Sequence, residues 1–145
     1  MITKELLTKK YCCFYASDFH LEMILLPYIK ENLGKTKILI LTQNDLSESI
    51  IQVLDRTNFA DKQKQEILNL NWSNQELNLL DIKNEDIIII NGDKNYIENI
   101  NNKIQSLKLK NIILINCYDI SKIEKNKFDL TKDYQGVLNT NYITK

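Results

Sequence analysis

Asp86-Ile87-Ile88-Ile89-Ile90-Asn91-Gly92-Asp93 is the stretch on which the fold turns. Four consecutive isoleucines suit a strand buried on both faces, as in the middle of a parallel sheet. Asn91-Gly92-Asp93 then reads as a sharp break, because Asn-Gly favours a turn with positive φ. Beyond it, Tyr96, Ile97, Ile100, Ile104 and Leu107 recur at three- and four-residue spacings. That spacing predicts a helix with one buried face. Asn95 and Glu98 fall in its first turn.

The same rhythm extends in both directions. Downstream, Ile112-Ile113-Leu114-Ile115 predicts a strand over residues 111–115, interrupted by Asn116-Cys117-Tyr118-Asp119. A short helix is expected from Ile120 and Ile123, and a short strand around Val137-Leu138-Asn139. Upstream, Ile38-Leu39-Ile40-Leu41 predicts a strand over residues 37–41. A helix from Leu46 to about Thr57 follows, with Leu46, Ile50, Val53 and Leu54 on one face. Asp45 and Glu48 have capping-box spacing. Tyr11-Cys12-Cys13-Phe14-Tyr15-Ala16 predicts the first strand, with Cys12 and Cys13 on opposite faces. Residues 19–33 then form a helix packed through Leu21, Ile24, Leu25, Tyr28 and Ile29. Ser17 or Asp18 caps it, Pro27 kinks or divides it, and Gly34 stops it.

Residues 59–82 are long for a simple connection, so internal structure is expected there. Asp61 to Leu70 predicts a further helix, and Trp72, Leu77, Leu79 and Leu80 follow. Alternating strands and helices make the fold class α/β. The expectation is one three-layer domain over residues 1–145, with a mostly parallel central sheet of Rossmann-like or flavodoxin-like topology.

Composition bounds the function. Hydrophobic residues are 43% of the chain and charged residues 26%, enough for a core and against general disorder. Lys plus Arg and Asp plus Glu number 19 each, which argues against a dominant nucleic-acid or polybasic membrane footprint. No apolar run approaches the roughly 20 residues of a membrane span. The first ten residues do not read as a signal peptide, and the three cysteines form neither a disulfide framework nor a zinc pattern. A cytoplasmic location is the default expectation. Cys13 and Cys117 lie in apolar runs and read as buried thiols rather than nucleophiles.

In a parallel sheet with right-handed crossovers, the strand C-termini share one edge. Ser17, Thr42, Asn44, Asn91, Gly92 and Asn116 are expected there, where helix amides could bind an anion such as a small phosphate-containing ligand. Asp18, Asp45, Asp93 and Asp119 could instead collect Mg²⁺, with His20 transferring a proton. That alternative is a divalent-metal-assisted phosphate or phosphodiester hydrolase. The same acids also read as ordinary helix caps and turn residues. No GxGxxG, GxxxxGK or GxSxG motif is present.

The favoured expectation is a non-catalytic protein-interaction or regulatory domain that self-associates and needs no cofactor. Phe59 and Trp72 are its sequence-visible contact candidates, with packing of the long connection as the plainer reading. Two lysine groups raise nucleic-acid binding: Lys103, Lys108 and Lys110, and Lys122, Lys125 and Lys127 near Tyr118 or Phe128. Asp119, Glu124 and Asp129 interrupt the second, and a solvated surface is the better reading of both.

Overall fold

The computed structural model describes residues 8–75, 78–122, 131–140 and 142–144. The expectations for Leu77, Ile123, Lys125, Lys127 and Phe128 lie outside these residues. The element order is β1 (Lys9–Tyr15), α1 (Asp18–Asn32), β2 (Ile38–Thr42), α2 (Ser47–Asp55), α3 (Asp61–Leu68), β3 (Ile87–Gly92), α4 (Lys94–Ser106), β4 (Ile113–Asp119), β5 (Gly136–Asn139) and β6 (Tyr142–Thr144). Short 3-10 turns occupy Leu79–Asp81 and Ile120–Lys122.

The sheet order is β2-β3-β4-β1-β5-β6. The first five strands in that order are mutually parallel, and β6 pairs antiparallel with β5 at the edge. This is a Rossmann-like α/β architecture. Its C-terminal strand edge collects the ends of β1, β2, β3 and β4, as the alternating pattern requires.

Pleating divides the core in two. Cys13, Tyr15, Ile38, Ile40, Ile87, Ile89, Ile115 and Cys117 point to the first face, where α1, α2, Ile67 of α3 and Trp72 cover them. Cys12, Phe14, Leu41, Ile88, Ile90, Leu114 and Tyr118 point to the second, beneath Ile97, Ile100 and Ile104 of α4. Each buried aliphatic side chain contributes about 1.5–3 kcal/mol of burial free energy. A shift of one residue in any strand would carry its apolar set to the wrong layer.

Several boundaries differ from the sequence expectation. Asn91-Gly92 does not end β3: both residues stay in the strand, Asn91 opposite Thr42 and Cys117, Gly92 opposite Tyr118. Ladder partners on both sides outweigh the local turn preference. Likewise β4 starts at Ile113 and runs on through Asn116 and Cys117 to Asp119. Pro27 does not divide α1, which continues to Asn32. Gly34 does adopt φ +77°, the left-handed conformation that stops the helix. No Asp45 capping box forms, because α2 starts at Ser47 with Leu46 as its N-cap.

The connection from β2 to β3 folds back on itself. The Leu46 amide donates to the Trp72 carbonyl at 2.8 Å, so α2 and α3 form an excursion that returns to its origin. Leu79 and Ile82 then join the second core, and the Lys37 ammonium donates to the Asp81 carbonyl at 2.8 Å. That path accounts for the length of the segment.

Candidate functional site

At the end of β1, Ser17 is the N-cap of α1. Its hydroxyl accepts from the His20 amide at 3.1 Å, while His20 Nδ1 accepts from the Ala16 amide at 2.9 Å. The two bonds tie the start of α1 to the end of β1, with the His20 side chain reaching back to the residue before the N-cap. Asp18 lies exposed in the first helical turn, where its charge complements the helix dipole.

Further along the same edge, buried polar groups form one chain on the first face. The Tyr15 hydroxyl donates to Asn91 Oδ1 at 2.5 Å, Asn91 Nδ2 donates to Thr42 Oγ1 at 3.0 Å, and the Thr42 hydroxyl donates to the Asn44 carbonyl at 2.7 Å. Tyr15, Asn91 and Thr42 are each buried. Burial and the neighbouring Cys117 push the Tyr15 phenol above its ordinary value, so it stays a neutral donor. Asn91 and Thr42 thus meet as expected, but their side-chain groups engage each other. Gly92 follows because space demands it: a Cβ there would stand 2.6 Å from Tyr96 Cδ2 and 2.8 Å from Gln43 Oε1.

The four acids have local partners or separate positions. Asp45 Oδ1 accepts from the Ser47 amide at 2.9 Å and hydroxyl at 2.6 Å, which hold its carboxyl below the usual carboxylate range. Asp119 makes the same pair of bonds to Ser121 at 2.9 and 2.7 Å. Asp93 caps α4 through the Tyr96 amide at 2.8 Å and accepts from Gln43 Nε2 at 3.3 Å. Among the described residues, no three His, Cys, Asp or Glu side chains form a metal-ligating group.

Glu22 was not singled out by sequence reasoning, since it falls on an apolar helix face. It is fully buried where α1 meets α2, and Oε1 accepts from the Ser49 hydroxyl at 2.6 Å. Oε2 has no hydrogen-bond partner among the described residues. Burial raises the carboxyl to about 7; the Ser49 bond opposes the shift and the Asp18 charge adds to it.

Asn116 does not join the strand-edge group. It sits within β4 and faces the second layer, opposite Cys12 on one side and Ile90 on the other. There it borders a cavity of about 580 Å³ between α4, the β1–β4 floor and Tyr134. Asn116 and Asn101 exchange two amide bonds of 3.0 and 3.1 Å, Asn116 Nδ2 donates to the Tyr134 hydroxyl at 2.8 Å, and the Tyr118 and Tyr134 hydroxyls lie 2.6 Å apart. Burial and this pairing push the Tyr118 phenol upward, and burial also raises Tyr134. Asn101 and Tyr134 carry no motif; only folding brings them beside β4.

Trp72 is 3% exposed, and its indole Nε1 donates to the Ile67 carbonyl at 2.7 Å. The structure therefore places it in the core instead of on a contact surface. Phe59 is partly buried against the same core, with the Lys30 ammonium 4.7 Å from its ring centroid. Cys12, Cys13 and Cys117 are buried and form no disulfide, and burial pushes the Cys117 thiol well upward. Lys103, Lys108 and Lys110 are exposed, whereas Tyr118 is buried in the second core. Among the described residues, no helix is long and apolar enough to cross a membrane. The chain matches no protein-family model, no curated protein and no solved structure.

Proposed function

We propose that this chain is a non-catalytic interaction domain that self-associates through the outer face of α1 and α2. The supporting observation is the exposure of large apolar side chains on α1: Phe19 at 46% and Met23 at 42%. Phe19 and Met23 are one turn apart on α1, so they share a face. The α2 helix packs beside it through the Glu22–Ser49 bond, and the Arg56 guanidinium lies 5.9 Å from the Phe19 ring centroid. A two-fold pairing of such faces would remove the apolar side chains of both copies from water.

Binding instead of turnover is supported by the strand edge, where Asn91, Thr42, Asp45, Asp93 and Asp119 are engaged by neighbouring groups. A reducing compartment such as the cytoplasm fits three buried cysteines that form no disulfide. Light scattering over a concentration series, under reducing conditions, tests the reading. The wild-type mass should rise to a multiple of 17.1 kDa, and the double variant Phe19→Ser/Met23→Lys should remain monomeric with its fold intact. A wild type that stays monomeric throughout, or a variant that associates equally well, refutes self-association through this face.

A further inference from the structure

We propose that the second-face cavity is a binding site for an uncharged organic molecule with an apolar body and one hydrogen-bond acceptor, of the carbonyl or ring-nitrogen kind. This goes beyond self-association and uses the opposite side of the sheet. The cavity volume of about 580 Å³ lies in the range of small-molecule sites. Its apolar lining comes from Ile97 and Ile104 of α4 and from Ile112 and Leu114 beside and within β4. The charged lining residues are Lys10 and Lys108 with Glu98 and Asp133, two of each sign; the Lys10 ammonium lies 5.6 Å from the Tyr134 ring centroid, and Glu98 also pairs with Lys94 at 3.8 Å.

The acceptor requirement follows from counting protons. Asn101 Nδ2 donates to the Ile97 carbonyl at 2.9 Å, which fixes that amide's orientation. The reciprocal bonds then orient Asn116, so its Nδ2 donates to the Tyr134 oxygen. Two phenolic protons remain for one bond between Tyr118 and Tyr134. Whichever phenol donates to the other, one O–H is left over. Among the described residues, neither hydroxyl has a further protein partner. Both phenols are held neutral, so the surplus group is a donor. A ligand acceptor beside this pair completes the set; an anion there would meet the Lys10 ammonium but also the Glu98 and Asp133 carboxylates, whose charges act on Tyr118 and Tyr134.

The count makes an unusual mutational claim. In Tyr118→Phe, Tyr134 still accepts from Asn116 and its own proton becomes the surplus donor. The acceptor preference should therefore survive that substitution. In Tyr118→Phe/Tyr134→Phe no phenolic proton remains, and the preference should vanish.

Fluorine NMR with para-fluoroacetophenone, para-fluorocumene and para-fluorobenzoate tests the proposal, because these differ in acceptor and charge at similar size. Para-fluoroacetophenone should bind about three- to tenfold more tightly than either comparator, the span of one net hydrogen bond. Its binding should shift the side-chain amide signals of Asn101 and Asn116. Tyr118→Phe should keep the preference and the double variant should lose it. Should the double variant fail to fold, the wild type and Tyr118→Phe still decide. Equal binding of ketone and hydrocarbon, preference for the benzoate, loss of preference in Tyr118→Phe, or unshifted Asn101 and Asn116 amides overturns the proposal.

Discussion

The Tyr15 hydroxyl reaches Asn91 Oδ1 at 2.5 Å, although their strands β1 and β3 are not neighbours in the sheet. The side chain spans β4 on the first face, where Cys117 lies in register with Asn91 and Cys13. One hydrogen bond thereby ties three strands together near their C-terminal ends. It also satisfies the amide oxygen of Asn91, which is buried.

Replacing Tyr15 by Phe should leave Asn91 Oδ1 without this donor. The expected loss is about 1–3 kcal/mol, the cost of an unsatisfied buried polar group. Urea unfolding of Tyr15→Phe, Asn91→Ala and the double variant checks this. The two single losses should sum to more than the double loss, since the second change removes the group that the first orphaned.

Glu22 predicts a pH dependence. Its folded value of about 7 lies above the ordinary 4.5, so the native state holds the proton more tightly. The stabilising contribution is complete below about 4.5 and declines as pH rises to about 7, beyond which it stays lost. Glu22→Gln keeps an acceptor for Ser49 and removes the charge. It should stabilise the fold by about 1–3 kcal/mol in mildly alkaline buffer and by little in acid, where both residues are neutral. Parallel denaturant titrations at the two extremes measure the difference.

At Gly92 the expected defect is steric. Its backbone does not have positive φ, so alanine meets no backbone barrier; its Cβ meets Tyr96 and Gln43. Gly92→Ala should lose about 1–3 kcal/mol. Adding Tyr96→Ala should recover part of that loss relative to Tyr96→Ala alone. Thermal unfolding of the four proteins in this cycle measures the coupling.

Trp72 provides an optical check, because it is the chain's single tryptophan. Burial to 3% predicts blue-shifted emission and poor quenching by iodide. Trp72→Phe should lower stability by about 1–3 kcal/mol, through lost packing and the loss of the indole bond to the Ile67 carbonyl, which keeps the Leu70 amide at 3.1 Å. Steady-state quenching and urea unfolding check the two statements separately.

Much of the architecture is legible in local sequence because strands and helices write their burial as distinct periods. Ile87 to Ile90 and Ile38 to Leu41 announce buried strands, while Ile97, Ile100 and Ile104 announce the face of α4. The strand ends are less legible. Asn91-Gly92 and Asn116-Cys117 look like breaks because local preference cannot register the ladder partners supplied by residues far along the chain.

The sequence alone determined the α/β class, the alternation of elements, and the polar residues at the ends of β1, β2 and β3. Those properties depend on neighbours within a few positions. Only the tertiary structure decided that Asn91 faces Tyr15 while Asn116 faces Tyr134, on opposite sides of the sheet. It also decided that Trp72 packs inward and that Glu22 is buried with one oxygen lacking a partner among the described residues. The physical reason is the order β2-β3-β4-β1-β5, which brings together residues far apart in the chain and turns alternate side chains into separate cores.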